Sequence, residues 1–146
     1  MKIGVVMDPI DSITPYKDSS LAMLLEAERR NAEIHYFEQK DVRLLSGKAL
    51  GQSTLLRVRD DNNDWFEFGT RQEIELGDLD AILMRKDPPF DMEYVYTTYI
   101  LDRAREDGAL IVNAPQALRD MNEKAYTAWF PQCTPTTLIT RSMDEM

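Results

Sequence analysis

A short apolar run that ends in charged residues and prolines constrains the fold of this chain more than any other feature. The run covers residues 81–84 and is followed by Arg85, Lys86, Asp87, Pro88 and Pro89. Uninterrupted apolar residues are typical of a strand with both faces covered, and proline ends regular structure because it fixes φ and lacks an amide donor. The three charged residues are therefore expected at the carboxyl end of a buried strand, where ligands bind in open α/β sheets.

Length, composition and charge limit the classes of protein to which this chain can belong. Its 146 residues, 43% of them hydrophobic, are enough for one main domain with a sizeable core. The 17 basic and 26 acidic residues give a net charge of −9, which disfavours binding to nucleic acid or anionic lipid. No apolar run approaches the roughly 20 residues that span a bilayer, and a single cysteine, Cys133, suits a reducing compartment. We therefore expect a cytoplasmic protein with neither nucleic acid nor membrane as a partner.

The first part of the chain predicts a β-α-β unit. Ile3 to Met7 and Ile34 to Phe37 are apolar runs with the length of buried strands. Between them, Asp18 or Ser19 is expected to cap a helix whose first amide groups face the carboxyl edge of the sheet. These amides could hold an anionic group, but the same residues also serve as caps without a ligand, and both interpretations stay open. We expect a structural or solvent-facing role for His35, the only histidine, because it alternates with apolar residues in the second strand.

The later elements follow from shorter patterns. Residues 42–76 contain β-like runs separated by polar turns, which predicts an inserted hairpin or meander. Asp91 is expected to cap a helix that Gly108 ends. An apolar stripe along that helix consists of Met92, Val95, Tyr96, Tyr99 and Ile100. The other predicted elements are strands at 79–84, 110–112 and 136–140 and helical stretches at 116–121 and 122–130.

The end of the sequence has the pattern of a helix start. Ser142 and Glu145 have the spacing of a capping box, in which each side chain bonds the other residue's backbone amide. The sequence stops one residue later, at Met146. We therefore expect the chain to be the front piece of a longer protein.

Several motifs occur in the same order as in one known family. They are Met7-Asp8-Pro9-Ile10, Lys17-Asp18-Ser19-Ser20, residues 22–27, Met84-Arg85-Lys86-Asp87-Pro88-Pro89-Phe90-Asp91, Tyr99-Ile100-Leu101, Ile111-Val112-Asn113 and Asn122-Glu123-Lys124. Together they resemble the N-terminal part of bacterial glutathione synthetase, and the resemblance runs along the whole chain. The eight-residue motif that begins at Met84 is the most specific of them.

The resemblance implies a fold and a division of the chain. The pattern of elements already predicts an α/β domain with a mainly parallel sheet and a β-hairpin or meander insertion. The family implies that this is a three-layer, Rossmann-like, pre-ATP-grasp domain over residues 1–121. Residues 122–146 would then begin a truncated ATP-grasp region.

The resemblance also implies a reaction. The full-length family members are ATP-grasp ligases that join γ-glutamylcysteine to glycine through an acyl phosphate, with ATP converted to ADP and with Mg or Mn as the metal. A homo-oligomer is implied for the full-length protein. The fragment alone is expected to be inactive, to hold no catalytic residue or metal ligand, and to bind no cofactor.

Candidate site residues follow from the matching motifs. Those expected on the peptide-substrate side are Lys17, Asp18, Ser19, Arg85, Lys86 and Asp87. Lys124 matches the lysine that reaches the ATP phosphates, and it should be solvated and idle in this fragment. Arg85 could grip a carboxylate with two parallel N–H bonds, whereas Asp87 could orient Arg85 or receive an ammonium. A mutual ion pair between Arg85 and Asp87 that only braces the loop is the structural alternative.

Two other classes of function remain open from the residues alone. Asp8 after a first strand, Asp87 after a later strand and Lys124 downstream also suggest a phosphoacceptor receiver domain. The β-rich insert argues against that interpretation because it replaces an expected strand-helix unit. A stand-alone peptide-binding or interaction module is the third possibility, and it predicts affinity for γ-glutamylcysteine without any partner.

Overall fold

The computed structural model describes residues 1–121 and 124–145. The seven strands are β1 (Lys2–Val6), β2 (Glu33–Phe37), β3 (Val42–Leu45), β4 (Lys48–Val58), β5 (Phe66–Glu75), β6 (Ala81–Met84) and β7 (Leu110–Val112). The α-helices are α1 (Ser19–Arg29), α2 (Met92–Glu106) and α3 (Pro115–Asp120). Within the described ranges, the helices are too short or too polar to cross a membrane.

One sheet contains all seven strands, in the order β3-β4-β2-β1-β6-β7, with β5 paired to the other side of β4. The strands β2, β1, β6 and β7 run parallel, and β3, β4 and β5 form an antiparallel meander that extends the sheet beyond β2. The prediction of a Rossmann-like α/β domain with a β-rich insertion is therefore confirmed.

The sheet separates two hydrophobic cores. On one face, α1 buries Leu21, Leu24 and Ala27 against β1, β2 and β4. On the other face, α2 packs over Ile82 and Met84 of β6 and over the curled start of β4. The alternate residues of β6, Ala81 and Leu83, are only half-buried, so the prediction of a strand covered on both faces is only partly right.

The predicted caps of α1 and α2 are confirmed. Asp18 and Asp91 lie just before the helices, and their carboxylates accept hydrogen bonds from the amides of Leu21 at 2.7 Å and Tyr94 at 2.9 Å. Gly108, two residues beyond α2, has φ of +126°, a conformation that side chains with a Cβ rarely adopt. Local sequence signals therefore determine where both helices begin, at the carboxyl edge of the sheet.

The predicted apolar stripe of α2 is only partly right, because Ile100 packs against the core and Val95 is half-buried while the other members are not. Met92, Tyr96 and Tyr99 are exposed. The buried residues are instead Tyr94, Thr97, Thr98, Leu101 and Ala104, which also follow helical spacing. Burial of the two threonines is possible because their hydroxyls donate to helix carbonyls, Thr97 to Glu93 O at 2.9 Å and Thr98 to Val95 O at 2.6 Å.

The third strand of the meander is longer than predicted. Gly69 separates the β-like run at residues 65–68 from the residues that follow it in the sequence, yet β5 continues through this glycine to Glu75. The partner strand β4 shifts register between Thr54 and Leu56, next to Gly69. A Cβ at Gly69 would lie 3.3 Å from the Cβ of Leu55, so the glycine allows the two strands to approach closely.

The last segment differs from its predictions. Residues 136–140 form no strand and pair with no strand of the sheet. The helical stretch predicted at 122–130 begins outside the described residues, and its described part is a 3-10 helix, Ala125–Trp129. The capping box is also not formed, because the Ser142 amide donates to Thr140 Oγ1 at 3.0 Å instead of to Glu145. Met146 lies outside the described residues.

Candidate functional site

Arg85 connects the end of β6 to the start of α1. Its Nε donates to Ser20 Oγ at 3.0 Å, and its Nη2 donates to Ser19 Oγ at 2.8 Å. The backbone amide of Arg85 donates to Val6 O at 2.7 Å and so extends the pairing between β1 and β6. Two serine hydroxyls thus hold the guanidinium, and a strand carbonyl holds the backbone of Arg85. The guanidinium has further N–H donors beyond the two that the serines accept.

A polar hollow of about 460 Å³ lies around this contact. It is lined by Met7, Asp8, Ser12, Ile13, Thr14, Lys17, Asp18, Ser19, Ser20, Arg85 and Asp87. The hollow is at the carboxyl edge of the parallel strands, beside the first turn of α1. Its volume falls within the range of about 300–1,000 Å³ that is usual for small-molecule sites.

Asp8 holds the loop that follows Arg85. Its Oδ1 is 2.8 Å from Lys86 Nζ, and its Oδ2 accepts a hydrogen bond from the Asp87 amide at 3.0 Å. Lys86 Nζ also donates to the backbone oxygen of Asp87 at 2.7 Å. One carboxylate therefore bonds two consecutive loop residues, and the positive charge of Lys86 is directed to Asp8.

Five of the six residues predicted for the peptide side lie together in the hollow. They are Lys17, Asp18, Ser19, Arg85 and Asp87. Lys86 is outside its lining and borders a second hollow of about 450 Å³. Lys124 is exposed in the segment after α3 and lines neither hollow.

The ion pair considered between Arg85 and Asp87 is not formed. Arg85 bonds the two serines, and no hydrogen bond or ion pair to the Asp87 carboxylate occurs within residues 1–121 and 124–145. The hollow therefore presents a guanidinium and a carboxylate that do not neutralise each other. Such a surface suits a ligand that carries both carboxylate and ammonium groups.

The second hollow is more apolar. It is lined by Lys86, Pro88, Phe90, Tyr94, Asn113, Ala114, Ala117, Leu118 and Met121. Burial raises the pKa of Tyr94, and the nearby charges of Lys86 and Arg85 oppose that effect to a smaller extent. Tyr94 therefore remains a neutral phenol at physiological pH.

Sequence reasoning missed Asp8, Ser12, Thr14 and Ser20 as lining residues. A signal existed for Asp8, because it follows β1 as the predicted site residues follow β6, and neighbouring parallel strands end at the same edge. Ser20 was present in a quoted motif, but its burial and its bond to Arg85 depend on the packing of α1.

His35 has the structural role that was expected. Its side chain is buried, and the two ring nitrogens lie 2.7 Å from Ser53 Oγ and 2.8 Å from Glu33 Oε1. Ser53 is fully buried as well, so no substrate can reach its hydroxyl. The three residues join β2 to β4 and do not line the polar hollow.

The described residues contain no cluster of protein groups that could hold a magnesium or manganese ion by itself. Nowhere in residues 1–121 and 124–145 do three acidic, histidine or cysteine side chains come close enough to hold a metal ion. For ATP, the described part of the chain offers the exposed Lys124 as a cation that suits a phosphate.

Together, the sheet and the hollow define a Rossmann-like α/β domain with a candidate ligand site at its carboxyl edge. The family model for the prokaryotic glutathione synthetase N-terminal domain matches residues 1–119. The chain belongs to this family.

Curated relatives match the whole chain. The glutathione synthetase of Vibrio parahaemolyticus is 59% identical over 146 residues, which is 100% of this chain and 46% of that protein. The glutathione synthetase of Salmonella typhimurium is 57% identical with the same coverage, and one from Vibrio vulnificus is 58% identical. The chain therefore spans about half the length of the curated relatives it matches.

Proposed function

We propose that this chain forms the peptide-binding wall of a glutathione synthetase, an ATP-dependent carbon-nitrogen ligase. The substrates would be γ-glutamylcysteine, glycine and ATP, and the products would be glutathione, ADP and phosphate. The observation that carries this proposal is the Arg85 guanidinium, held against Ser19 and Ser20 inside a hollow of small-molecule size. The names of the relatives and the matched family support the reaction class.

The proposed reaction needs activation of a carboxylate. A carboxylate is a poor electrophile because its negative charge repels an amine. Transfer of the ATP γ-phosphoryl group to the cysteinyl carboxylate would give an acyl phosphate, which the glycine amine attacks with loss of phosphate. In this scheme the described chain binds and orients the dipeptide, and Lys124 meets the ATP phosphates.

The hollow contains both cationic and anionic side chains, and these are opposite in charge to the groups of the dipeptide. γ-Glutamylcysteine carries an ammonium and two carboxylates. Arg85 and Lys17 would receive carboxylate groups, while the Asp87 carboxylate would receive the ammonium. Asp18 acts mainly as the cap that holds the start of α1, and Ser19 holds Arg85 in place.

We extend the proposal to the surroundings of the site. Residues 122–146 would begin the ATP-grasp region, and the described part of that segment leaves Trp129, Phe130, Leu138 and Ile139 exposed. The full-length enzyme would be a cytoplasmic homo-oligomer, in a compartment where a free thiol such as that of Cys133 stays reduced.

A chimaeric enzyme tests the proposed function. The matched part of the Vibrio parahaemolyticus glutathione synthetase would be replaced by this chain, and glutathione formation would be measured with and without ATP and glycine. We expect product that depends on both, and none from this chain alone. A chimaera that is folded by circular dichroism but inactive, next to an active parent, would contradict the proposal.

Arg85→Ala in the chimaera tests the site. We expect the KM for γ-glutamylcysteine to rise about tenfold or more, because a hydrogen-bonded charge is lost from the peptide side. The KM for ATP should stay within about twofold. If both turnover and the peptide KM were unchanged, Arg85 would not be a substrate residue.

Calorimetry on the chain alone tests the remaining interpretation, which is a stand-alone peptide-binding module. A domain that forms only one side of a substrate site should bind γ-glutamylcysteine weakly or not at all. Tight, saturable binding by the chain alone would instead favour a stand-alone peptide-binding module.

A further inference from the structure

The position of Asp8 suggests a role that the motifs did not assign. Asp8 lies two residues beyond β1 and lines the polar hollow, and its side chain is about one-third exposed (34%). Both carboxylate oxygens are engaged, one by Lys86 Nζ at 2.8 Å and the other by the Asp87 amide at 3.0 Å. These partners follow Arg85 directly in the chain.

We propose that Asp8 and Lys86 form a positioning pair that holds the 85–87 loop, so that Arg85 and Asp87 face the peptide while Lys86 does not. This inference rests on the proposed function, because it concerns the same hollow. It assigns Lys86 to Asp8 instead of to a substrate carboxylate.

Three features of the contact support this role. The pair joins the ends of adjacent parallel strands, and the Asp8 bond to the Asp87 amide continues the contact made by the Arg85 amide to Val6 O. The Lys86 side chain is only 18% exposed, and its ammonium contacts the Asp8 carboxylate at 2.8 Å and the backbone oxygen of Asp87 at 2.7 Å. Lys86 also borders the second hollow and is not among the residues that line the polar hollow.

The pair also sets the charge of the hollow. An unpaired Asp8 would add a negative charge beside Arg85 and would repel substrate carboxylates. With Lys86 bound to Asp8, that charge is compensated, and Arg85 and Lys17 remain to attract the anionic groups of the dipeptide. Asp8 would therefore act through its neighbours and would not touch the substrate.

A double-mutant cycle in the chimaera tests the pair. Asp8→Asn keeps an oxygen acceptor for the Asp87 amide but removes the charge that binds Lys86, and Lys86→Met removes the ammonium but keeps most of the stem. We expect each single change to raise the KM for γ-glutamylcysteine by about tenfold, with kcat and the KM for ATP within about twofold. The KM of the double variant for γ-glutamylcysteine should be no higher than that of the more impaired single variant, because both changes break the same contact. Asp8→Glu should retain part of the wild-type affinity.

A matched pair on the meander provides the control. Lys48 and Glu75 form an ion pair between β4 and β5, and neither residue lines the polar hollow. Lys48→Met should leave the peptide KM unchanged. Melting temperatures of all variants would show whether a KM change follows a loss of stability.

The outcomes distinguish this inference from the proposed function. An inactive wild-type chimaera contradicts the proposed function itself. An active chimaera in which Asp8→Asn and Lys86→Met have independent, multiplicative effects shows that the two residues are not coupled, and it overturns the positioning pair. An Asp8→Asn variant with a normal peptide KM, or with equal losses for peptide and ATP, overturns it as well.

Discussion

Arg85 Nη2 donates to Ser19 Oγ at 2.8 Å, although the two residues are 66 positions apart in the chain. This bond joins the carboxyl end of a parallel strand to the first residue of a helix. It places a planar cation beside the first turn of α1, where the helix dipole already favours negative charge. The Arg85 guanidinium and the dipole of α1 thus both contribute positive potential to the polar hollow, although the protein as a whole is acidic.

We predict that Arg85→Lys in the chimaera weakens peptide binding even though it keeps the charge. A lysine ammonium cannot reproduce the planar fork that donates to both serines and still offers donors to a ligand. The KM for γ-glutamylcysteine should rise about fivefold to tenfold. Steady-state kinetics would measure this, with Arg105→Lys on α2 as a matched substitution that leaves the KM unchanged.

We predict that Asp18→Ala and Asp91→Ala lower the stability of the chain by similar amounts. Each removes the acceptor of one amide bond at a helix start, which costs about 0.5–2 kcal/mol of unfolding free energy. Urea denaturation would measure both. In the chimaera, only Asp18→Ala should also raise the peptide KM, because α1 begins in the polar hollow. An equal rise for Asp91→Ala would show that the effect is not specific to the hollow.

We predict that Ser53→Ala destabilises the fold by about 1–3 kcal/mol, because it leaves a buried His35 nitrogen without its partner. Urea denaturation would detect the change. Gln72→Ala, on the exposed strand directly across from Ser53, should change stability by less than about 0.5 kcal/mol. Loss of chimaera activity at unchanged stability would contradict the structural role of Ser53 and His35.

We predict that Glu26 titrates far below an ordinary glutamate. Hydrogen bonds from Arg29 and Arg30 lower the pKa of Glu26 from 4.5 to about 2. A lowered folded-state pKa stabilises the fold above about pH 4.5, and this stabilisation is lost as the pH falls towards 2. Carbon-13 NMR of the carboxyl group would measure the midpoint.

Two sets of variants complete the Glu26 test. Replacing Arg29 and Arg30 together by glutamine should move the Glu26 midpoint up towards 4.5. Arg57→Gln, which removes a comparable contact to Glu28, should leave the Glu26 midpoint in place. A wild-type midpoint near 4.5 would show that the arginine contacts do not persist in solution.

The comparison of sequence and structure is most informative at α2. Its start and end were predicted because Asp91 and Gly108 act on the backbone within one turn. Its buried face was predicted only in part, because Tyr96 and Met92 were counted as apolar and Thr97 and Thr98 as polar. The threonines are buried because they satisfy their hydroxyls within the helix, and this depends on which face the sheet covers.

The candidate site also combines features that the sequence predicted with features that only the structure shows. The carboxyl edge was predicted as the ligand-binding edge from the positions of Arg85, Lys86 and Asp87. Lys17, Asp18 and Ser19 line the same hollow as Arg85 and Asp87, whereas Lys86 does not. The sequence could not show which charged residues would pair. An Arg85–Asp87 pair was considered, but Asp8 binds the loop at Lys86 and Asp87 instead.

The sequence by itself determined where strands stop, where helices start and which charged residues follow a strand, because these depend on dihedral preferences and neighbouring side chains. Only the tertiary structure decided that Asp8 reaches the Asp87 amide across 79 positions and that Lys86 pairs with Asp8 and lies outside the lining of the polar hollow. Contacts over such separations depend on the order of strands in the sheet. That order is set by how the whole core packs and is not encoded in any single segment.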